Sequence, residues 1–206
     1  MAAEGKTLPI VIHGDPVLHN RAAEVEEIAD DVRQLVADMH VTQEAARGVG
    51  LAAPQVGVGL RIFTWEFEHT GDAPTKGEVL NPVLTLLGKV SQEEPDPESE
   101  TEGCLSVPAL GYPLKRSDHV RLQGFDVNGD PVDFEAYDWF ARILQHEFDH
   151  LNATLYVNRL NPRWAKRWKK ELRKQGWTTA GNTWMPGDDE DPFGHDTEDV
   201  EEAVED

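Results

Sequence analysis

The feature that most constrains this chain is the stretch from Gln145 to His150, which contains two histidines four residues apart. It lies within residues 138–151, where apolar residues recur at the three- and four-residue spacing of a buried amphipathic helix. On such a helix His146 and His150 project from one face, so both can bind one metal ion. Glu147 is rotated about 100° further round the helix. From there its carboxylate can take a proton from a metal-bound water without occupying a coordination position.

A third ligand is needed to distinguish a metal site from a chance pair of histidines, because histidine pairs at this spacing also occur on helices that bind no metal. A catalytic site needs three protein ligands and one open position. Cys104 is the only cysteine, so it cannot form an internal disulfide. Its thiol is therefore an inert buried group, a nucleophile or a metal ligand, and the residues alone leave these alternatives open.

The composition indicates a soluble, cytoplasmic protein with one hydrophobic core. The chain has 206 residues, 39% of them hydrophobic. No apolar run approaches the roughly 18 residues of a membrane span, and the first residues lack a signal-peptide pattern. The net charge of −20 argues against DNA binding, although residues 187–206 contribute eleven of those negative charges and contain no lysine or arginine. We therefore expect neither membrane nor DNA as a partner.

A second run, Gly48-Val49-Gly50-Leu51-Ala52-Ala53-Pro54-Gln55, is dense in small residues. It permits close backbone approach, either to a neighbouring element or to a ligand. It is not a phosphate loop, because no Lys-Ser/Thr follows. Alternation and turn residues predict strands elsewhere. These strands lie at 61–68, 79–84, 120–126, 132–136 and 154–157. With a further helix starting at Asp30 or Asp31, the pattern predicts an α+β fold in which small antiparallel or mixed β-sheets surround the central metal-binding helix.

The chain after residue 160 has a different character. Pro162 suits the first turn of a helix, which is predicted to run to 175 and is rich in lysine and arginine. Its basic residues face either solvent, where they attract the acidic tail, or RNA. The glycine-, proline- and tryptophan-rich stretch that follows is expected to pack over the body. We therefore divide the chain into a metal-dependent catalytic domain (1–160), a basic helix (161–176) and a terminal segment with a flexible acidic tail (177–206).

Three runs together, residues 48–55, 102–106 (Glu-Gly-Cys-Leu-Ser) and 145–150, resemble the peptide deformylases, which carry these motifs in this order and at comparable separations. The resemblance covers roughly residues 5–160, and the proline- and tryptophan-rich end is similar to that of actinobacterial members. It implies hydrolysis of the N-formyl group from formyl-methionine at the start of new polypeptides, with release of formate. In the implied reaction a metal-bound hydroxide attacks the formyl carbon while Glu147 serves as general base and then general acid.

The resemblance also implies roles for individual residues. Cys104 becomes the third ligand beside His146 and His150, holding one divalent metal per chain. Fe(II) is the usual metal of the family, and zinc, nickel or cobalt can replace it; the donor set does not distinguish them. The side-chain amide of Gln55 and the backbone N–H of Leu105 are the implied donors to the oxyanion, each worth ~3 kcal/mol.

The implied substrates are N-formyl-methionyl nascent peptides. An extended peptide can lie against the backbone of Gly48, Val49 and Gly50 by strand addition, which reads main chain rather than sequence. Methionine selectivity is expected from an apolar pocket. The residues assigned to this pocket are Val49, Trp139, Ile143 and the stem of Arg142. Some deformylases also contact the ribosome through a C-terminal helix, so the basic helix at 162–175 is a candidate ribosome-binding surface.

Two positions raise further questions. Ala153 follows the metal helix where the family commonly has glycine, which puts the turn geometry there in question. Arg142 lies one turn before His146 on the metal-facing stripe, and a buried charge needs a partner. We predict that Arg142 pairs with Glu102 and so clamps the loop that carries Cys104 to the helix.

Two other functions compete with this interpretation. A zinc peptidase with the same helix motif draws its third ligand from downstream, where Glu171 and His195 are available. A metal-stabilised binding module is the second alternative. A structural metal site, however, has no need of Glu147 beside an open coordination position.

Overall fold

The chain folds into an antiparallel β-sheet, two small two-stranded sheets and three helices in a computed structural model that describes residues 4–193. The helices are α1 (Asp30–Ala45), α2 (Asp138–Leu151) and α3 (Pro162–Gln175). The strands are β1 (Ile10–Val11), β2 (Gly50–Ala52), β3 (Ile62–Glu66), β4 (Lys76–Leu86), β5 (Thr101–Glu102), β6 (Tyr112–Pro113), β7 (His119–Phe125), β8 (Pro131–Tyr137) and β9 (Thr183–Trp184). Short 3₁₀ helices lie at Pro16–His19, Ala53–Val56 and Tyr156–Asn158. The acidic residues predicted to form a flexible tail from 196 onward lie outside the described residues.

The main sheet has the strand order β2-β3-β4-β7-β8, with every neighbouring pair antiparallel. The strands predicted at 61–68, 79–84, 120–126 and 132–136 are confirmed, with shifts of a few residues at their ends. Strand β2 is at the edge of this sheet and has β3 as its neighbour. An extended peptide can therefore add to its other side.

Helix α2 lies against this sheet because its apolar face is buried there. Phe140, Ile143 and Leu144 pack in one core with Phe63 and Trp65 of β3. Burying each such side chain contributes about 2 kcal/mol. The prediction of an α+β fold with small sheets around the helix that is now α2 is confirmed. Parallel pairing is confined, in residues 4–193, to a single bridge between Ala23 and Leu60.

The chain after α2 departs from one prediction. The strand prediction at 154–157 is wrong, because residues 154 and 155 are irregular and lead into the 3₁₀ helix Tyr156–Asn158. The Asn158 side chain accepts a hydrogen bond from the Leu155 backbone N–H at 2.8 Å, which closes the turn locally. Leu155 and Tyr156 are almost fully buried, so the apolar run marks core packing and not strand pairing. Ala153 keeps a left-handed backbone, with φ of 58°, although it is not glycine.

The C-terminal part begins with α3. The Asn161 side chain caps this helix by accepting from the Trp164 backbone N–H at 3.1 Å, and Gly176 ends it with φ of 72°. Trp164 and Trp168 anchor its inner face, whereas the basic residues face outward. Residues 177–193 then fold back over the body, as expected, and β9 pairs with β1. None of the helices formed by residues 4–193 has the length and apolar character required to span a lipid bilayer.

Candidate metal centre

The three predicted metal ligands meet at one point although they are far apart in sequence. His146 and His150 lie one turn apart on α2, and Cys104 follows β5. Their ligand atoms all lie within 4.8 Å of one another. All three side chains are buried, and that of His150 is completely inaccessible.

The donor set fits a single divalent ion. Cys104 Sγ lies 3.3 Å from His150 Nε2. That separation is close to the roughly 3.5 Å expected for a thiolate and an imidazole on one tetrahedral ion. One sulfur and two nitrogen donors suit iron, zinc, nickel or cobalt. Among residues 4–193 this trio is the group of ligand-type side chains placed to hold an ion, and Glu171 does not belong to it. His195, the other downstream candidate of a peptidase site, lies outside the described residues.

Glu102 orients His146. The carboxylate accepts a hydrogen bond from His146 Nδ1 at 3.0 Å, which leaves Nε2 free for a metal. Glu102 also receives two bonds of 2.9 Å from Arg116 and one of 2.7 Å from Arg142. Burial alone would raise the pKa of Glu102, but the hydrogen bonds from Arg116 and His146 hold it well below its ordinary value of 4.5. The pairing of Arg142 with Glu102 agrees with the clamp predicted from the sequence.

The ionic network extends beyond what the sequence predicted. Arg116 also reaches Asp149 at 2.6 Å, and Asp149 receives two further bonds of 2.6 Å from Arg159. Asp149 is 5% exposed and Arg116 has a side chain 5% exposed, so these are buried charges. The sequence does indicate that Asp149 has a cationic partner, because this residue lies between the histidines on a buried helix and a buried carboxylate requires a cation. Which cation serves it is fixed by the tertiary fold.

Glu147 stands beside the three ligands in an unusual setting. Its side chain is 4% exposed, and Oε2 has no hydrogen-bond partner among residues 4–193. Gly50 of β2 passes so close that a Cβ built there would lie 2.5 Å from Glu147 Oε1. Burial raises the pKa of Glu147 to about 7. A carboxyl group with such a pKa can both accept and donate a proton near neutral pH.

Gln55 presents its amide to the same point. It lies on the 3₁₀ helix that follows β2, and its Oε1 accepts from the Ala52 backbone N–H at 2.8 Å. This bond orients the amide so that Nε2 faces Cys104 Sγ at 3.6 Å. The amide N–H groups are thereby directed at the centre of the site.

These groups open into one pocket, lined on one side by α2 and on the other by the loop after β5. Trp139 is 37% exposed and Val49 is 43% exposed, so both are accessible at its mouth. The Arg142 guanidinium lies 5.1 Å from the centre of the Trp139 ring. The lining includes Gly48, Val49, Gly50, Gln55, Cys104, Leu105, Trp139, Arg142, Ile143, His146, Glu147 and Phe193. Every candidate site residue except His150, which is completely buried, therefore lines one cavity.

Comparison with known proteins gives a consistent result. The polypeptide deformylase family model matches residues 7–166. The chain is 45% identical to peptide deformylase 2 of Corynebacterium efficiens over 188 residues, covering 91% of this chain and 97% of that one. It is 45% identical to the peptide deformylase of Mycolicibacterium smegmatis over 195 residues, covering 91% and 98%.

Solved structures show the same fold. A peptide deformylase from Synechococcus elongatus in complex with actinonin superposes with a TM-score of 0.70 at 34% identity, covering 82% of this chain and 86% of that one. A peptide deformylase from Legionella pneumophila gives 0.69 at 32% identity, covering 82% and 95%. The chain therefore belongs to the peptide deformylase family, metal-dependent hydrolases that remove the N-formyl group from newly made polypeptides.

Proposed function

We propose that this chain deformylates N-formyl-methionyl nascent peptides at the pocket beside Cys104, His146 and His150, and that these three residues hold one divalent metal, Fe(II). The observation that carries the proposal is the buried carboxylate of Glu147, unpartnered at one oxygen and adjacent to three convergent ligand atoms. When bound, the metal supplies a Lewis acid that acidifies water and polarises the formyl group.

Glu147 moves the proton in this proposal. Its carboxylate takes a proton from the attacking water and passes it to the amine that leaves when the formyl C–N bond breaks. The products are formate and a free N-terminal methionine. Gly50 supports this role by leaving room for the carboxylate, since any side chain there would collide with it.

Two donors stabilise the oxyanion. In this proposal the donors to the formyl oxygen are the Gln55 amide, held by its bond to Ala52, and the backbone N–H of Leu105. Each donor is worth ~3 kcal/mol. Replacing Gln55 with leucine is therefore expected to lower kcat about 100-fold without loss of metal.

Substrate binding follows from the edge strand. The formylated peptide extends along the backbone of Gly48–Gly50 and adds a strand next to β2. The methionine side chain lies in the apolar pocket. The residues that enclose it are Val49, Trp139, Ile143 and the aliphatic stem of Arg142. The guanidinium of Arg142 is occupied by Glu102, so its stem is held in place.

The test uses anaerobically purified, iron-loaded protein and a matched pair of peptides, formyl-Met-Ala-Ser and Met-Ala-Ser. We expect formate from the first and no cleavage of the second. Cleavage of the unformylated peptide would instead favour the peptidase function. Metal analysis of protein purified anaerobically without added metal decides between iron and zinc, which the donor set accommodates equally.

We further propose that α3 contacts ribosomal RNA. Seven lysine and arginine side chains of this helix are exposed, and Trp164 and Trp168 hold its other face against the body. Phosphate contacts by such a surface weaken steeply with salt. Lys169→Glu with Lys170→Glu is expected to abolish salt-sensitive co-sedimentation with ribosomes while peptide deformylation is unchanged. Binding that survives both substitutions would refute this docking surface.

A further inference from the structure

The proposed mechanism makes no use of residues 177–193, yet this segment packs directly on elements that carry the site. Its strand β9 pairs antiparallel with β1, with Trp184 opposite Ile10 and Thr183 opposite Val11. The Ile12 backbone N–H donates to the Asn182 carbonyl at 3.0 Å, which extends the pairing. The segment is therefore joined to the body by backbone hydrogen bonds and not only by side-chain contacts.

Trp184 connects the segment to Leu105. The ring is 8% exposed and packs in the same core as Ile10, Ile12 and Leu51. Its indole N–H donates to the Leu105 carbonyl at 3.0 Å. A buried indole N–H requires such an acceptor, and here the acceptor belongs to the residue whose own N–H is the proposed oxyanion donor. Trp184 thus fixes the main chain at that residue.

Phe193 brings an aromatic ring to the pocket itself. Its ring centroid lies 6.0 Å from that of Trp184, and it packs on the same core as Leu105. Phe193 also lines the pocket that contains Glu147 and Cys104. Ile143, by contrast, belongs to the core beneath α2. The pocket therefore has two apolar walls, one from α2 and one from Leu105 with Phe193.

An extended peptide uses two such walls in alternation, because successive side chains of a strand point to opposite faces. With the first side chain against the α2 wall, the second faces the wall made by Leu105 and Phe193. We infer that Phe193 forms a subsite for an apolar second residue of the formylated substrate, and that Trp184 is a positioning residue for Leu105. This inference rests on the proposed function of the pocket.

The test compares formyl-Met-Leu-Ser with formyl-Met-Gly-Ser, which differ only in the second side chain. For Phe193→Ala we expect kcat/KM on the leucine peptide to fall about fivefold and that on the glycine peptide to change by less than about twofold. Phe125→Ala is the matched control, since that ring is 51% exposed and does not line the pocket. It should leave the ratio of the two rates unchanged.

An equal fall on both peptides, or no change on either, would overturn the subsite. If the alanine variant folds poorly, Phe193→Leu replaces it, because leucine keeps an apolar group on the core. For this variant the ratio of kcat/KM on the leucine peptide to that on the glycine peptide should lie between the wild-type and alanine values. The failure of the proposed function is separately visible, because wild-type protein would then release formate from neither peptide.

The positioning role of Trp184 has its own test. Trp184→Phe removes the indole N–H and keeps an aromatic ring in the core. We expect kcat to fall about fivefold on both peptides, with KM and metal content unchanged, because one neutral hydrogen bond of about 1 kcal/mol is lost. An unchanged kcat, or a fall that matches a loss of bound metal, would refute the positioning role.

Discussion

Replacing Arg116 with methionine is expected to destabilise the protein far more than the same replacement of Arg121. Both arginines make two hydrogen bonds to one carboxylate, at 2.9 and 2.9 Å to Glu102 for Arg116, and at 2.7 and 2.7 Å to Asp133 for Arg121. The pairs differ in burial, since the side chains are 5% and 4% exposed in the first and 45% and 42% in the second. The two-bond geometry toward one carboxylate is thus matched and burial varies, and Arg116 makes one further bond to Asp149.

The magnitudes follow from that difference. Breaking a buried ion pair costs about 3–5 kcal/mol because a charge is left uncompensated, whereas an exposed pair is worth about 0–1 kcal/mol. In the variant Glu102 keeps Arg142 and Asp149 keeps Arg159. We therefore take the lower limit, about 3 kcal/mol for Arg116→Met and under about 1 kcal/mol for Arg121→Met.

Urea unfolding of metal-free protein measures this difference without a contribution from metal binding. At a slope of about 2 kcal/mol per molar urea, Arg116→Met should lower the midpoint by about 1.5 M. The same variant should bind metal about 10–100-fold more weakly, since Glu102 orients His146. Equal urea midpoints for the two variants would refute the claim that burial makes this network contribute more to the free energy of unfolding than an exposed ion pair.

Three further predictions concern separate positions. Gly50→Ala should lower kcat severalfold, because its Cβ collides with Glu147, while Gly59→Ala, whose Cβ meets its nearest atom at 3.8 Å, should leave kcat unchanged; steady-state kinetics measures both. Ala153→Gly should raise the free energy of unfolding by about 0.5–1 kcal/mol in urea, because the left-handed backbone is relieved. Burial lowers the pKa of His13 below 6.5, so the folded state resists its protonation. Unfolding stability should therefore fall from about pH 7.5 to about pH 5.5 more in wild type than in His13→Asn.

Local periodicity was sufficient to predict α2. The spacing of Phe140, Ile143 and Leu144 identified the buried face, and the same spacing placed His146 and His150 together. Alternation with turn residues likewise predicted strands β7 and β8, which pair with each other. The strand prediction at 154–157 failed because three consecutive apolar residues, 155–157, show no periodicity, and burial in the core accommodates them without strand pairing.

The rest of the site depends on contacts between residues far apart in sequence. Nothing local connects Cys104 to α2, and its role was reached through a family resemblance. No sequence pattern distinguishes Arg116 from the other basic residues, although it lies between Glu102 and Asp149. Trp184 reaches Leu105 over 79 positions. Such pairings are set by how the sheets fold around the helix, which periodicity does not encode.

The central claim is that Glu147 transfers the proton but is not a ligand of the metal. The most direct test counts the formate and new amine released from a formyl-methionine peptide under anaerobic conditions. Wild type and Glu147→Gln are compared, and the metal content of both is measured. We predict equal amounts of the two products from wild type and a loss of at least about 100-fold in the variant at unchanged metal occupancy. Wild-type turnover by a fully metal-loaded Glu147→Gln protein would contradict the account.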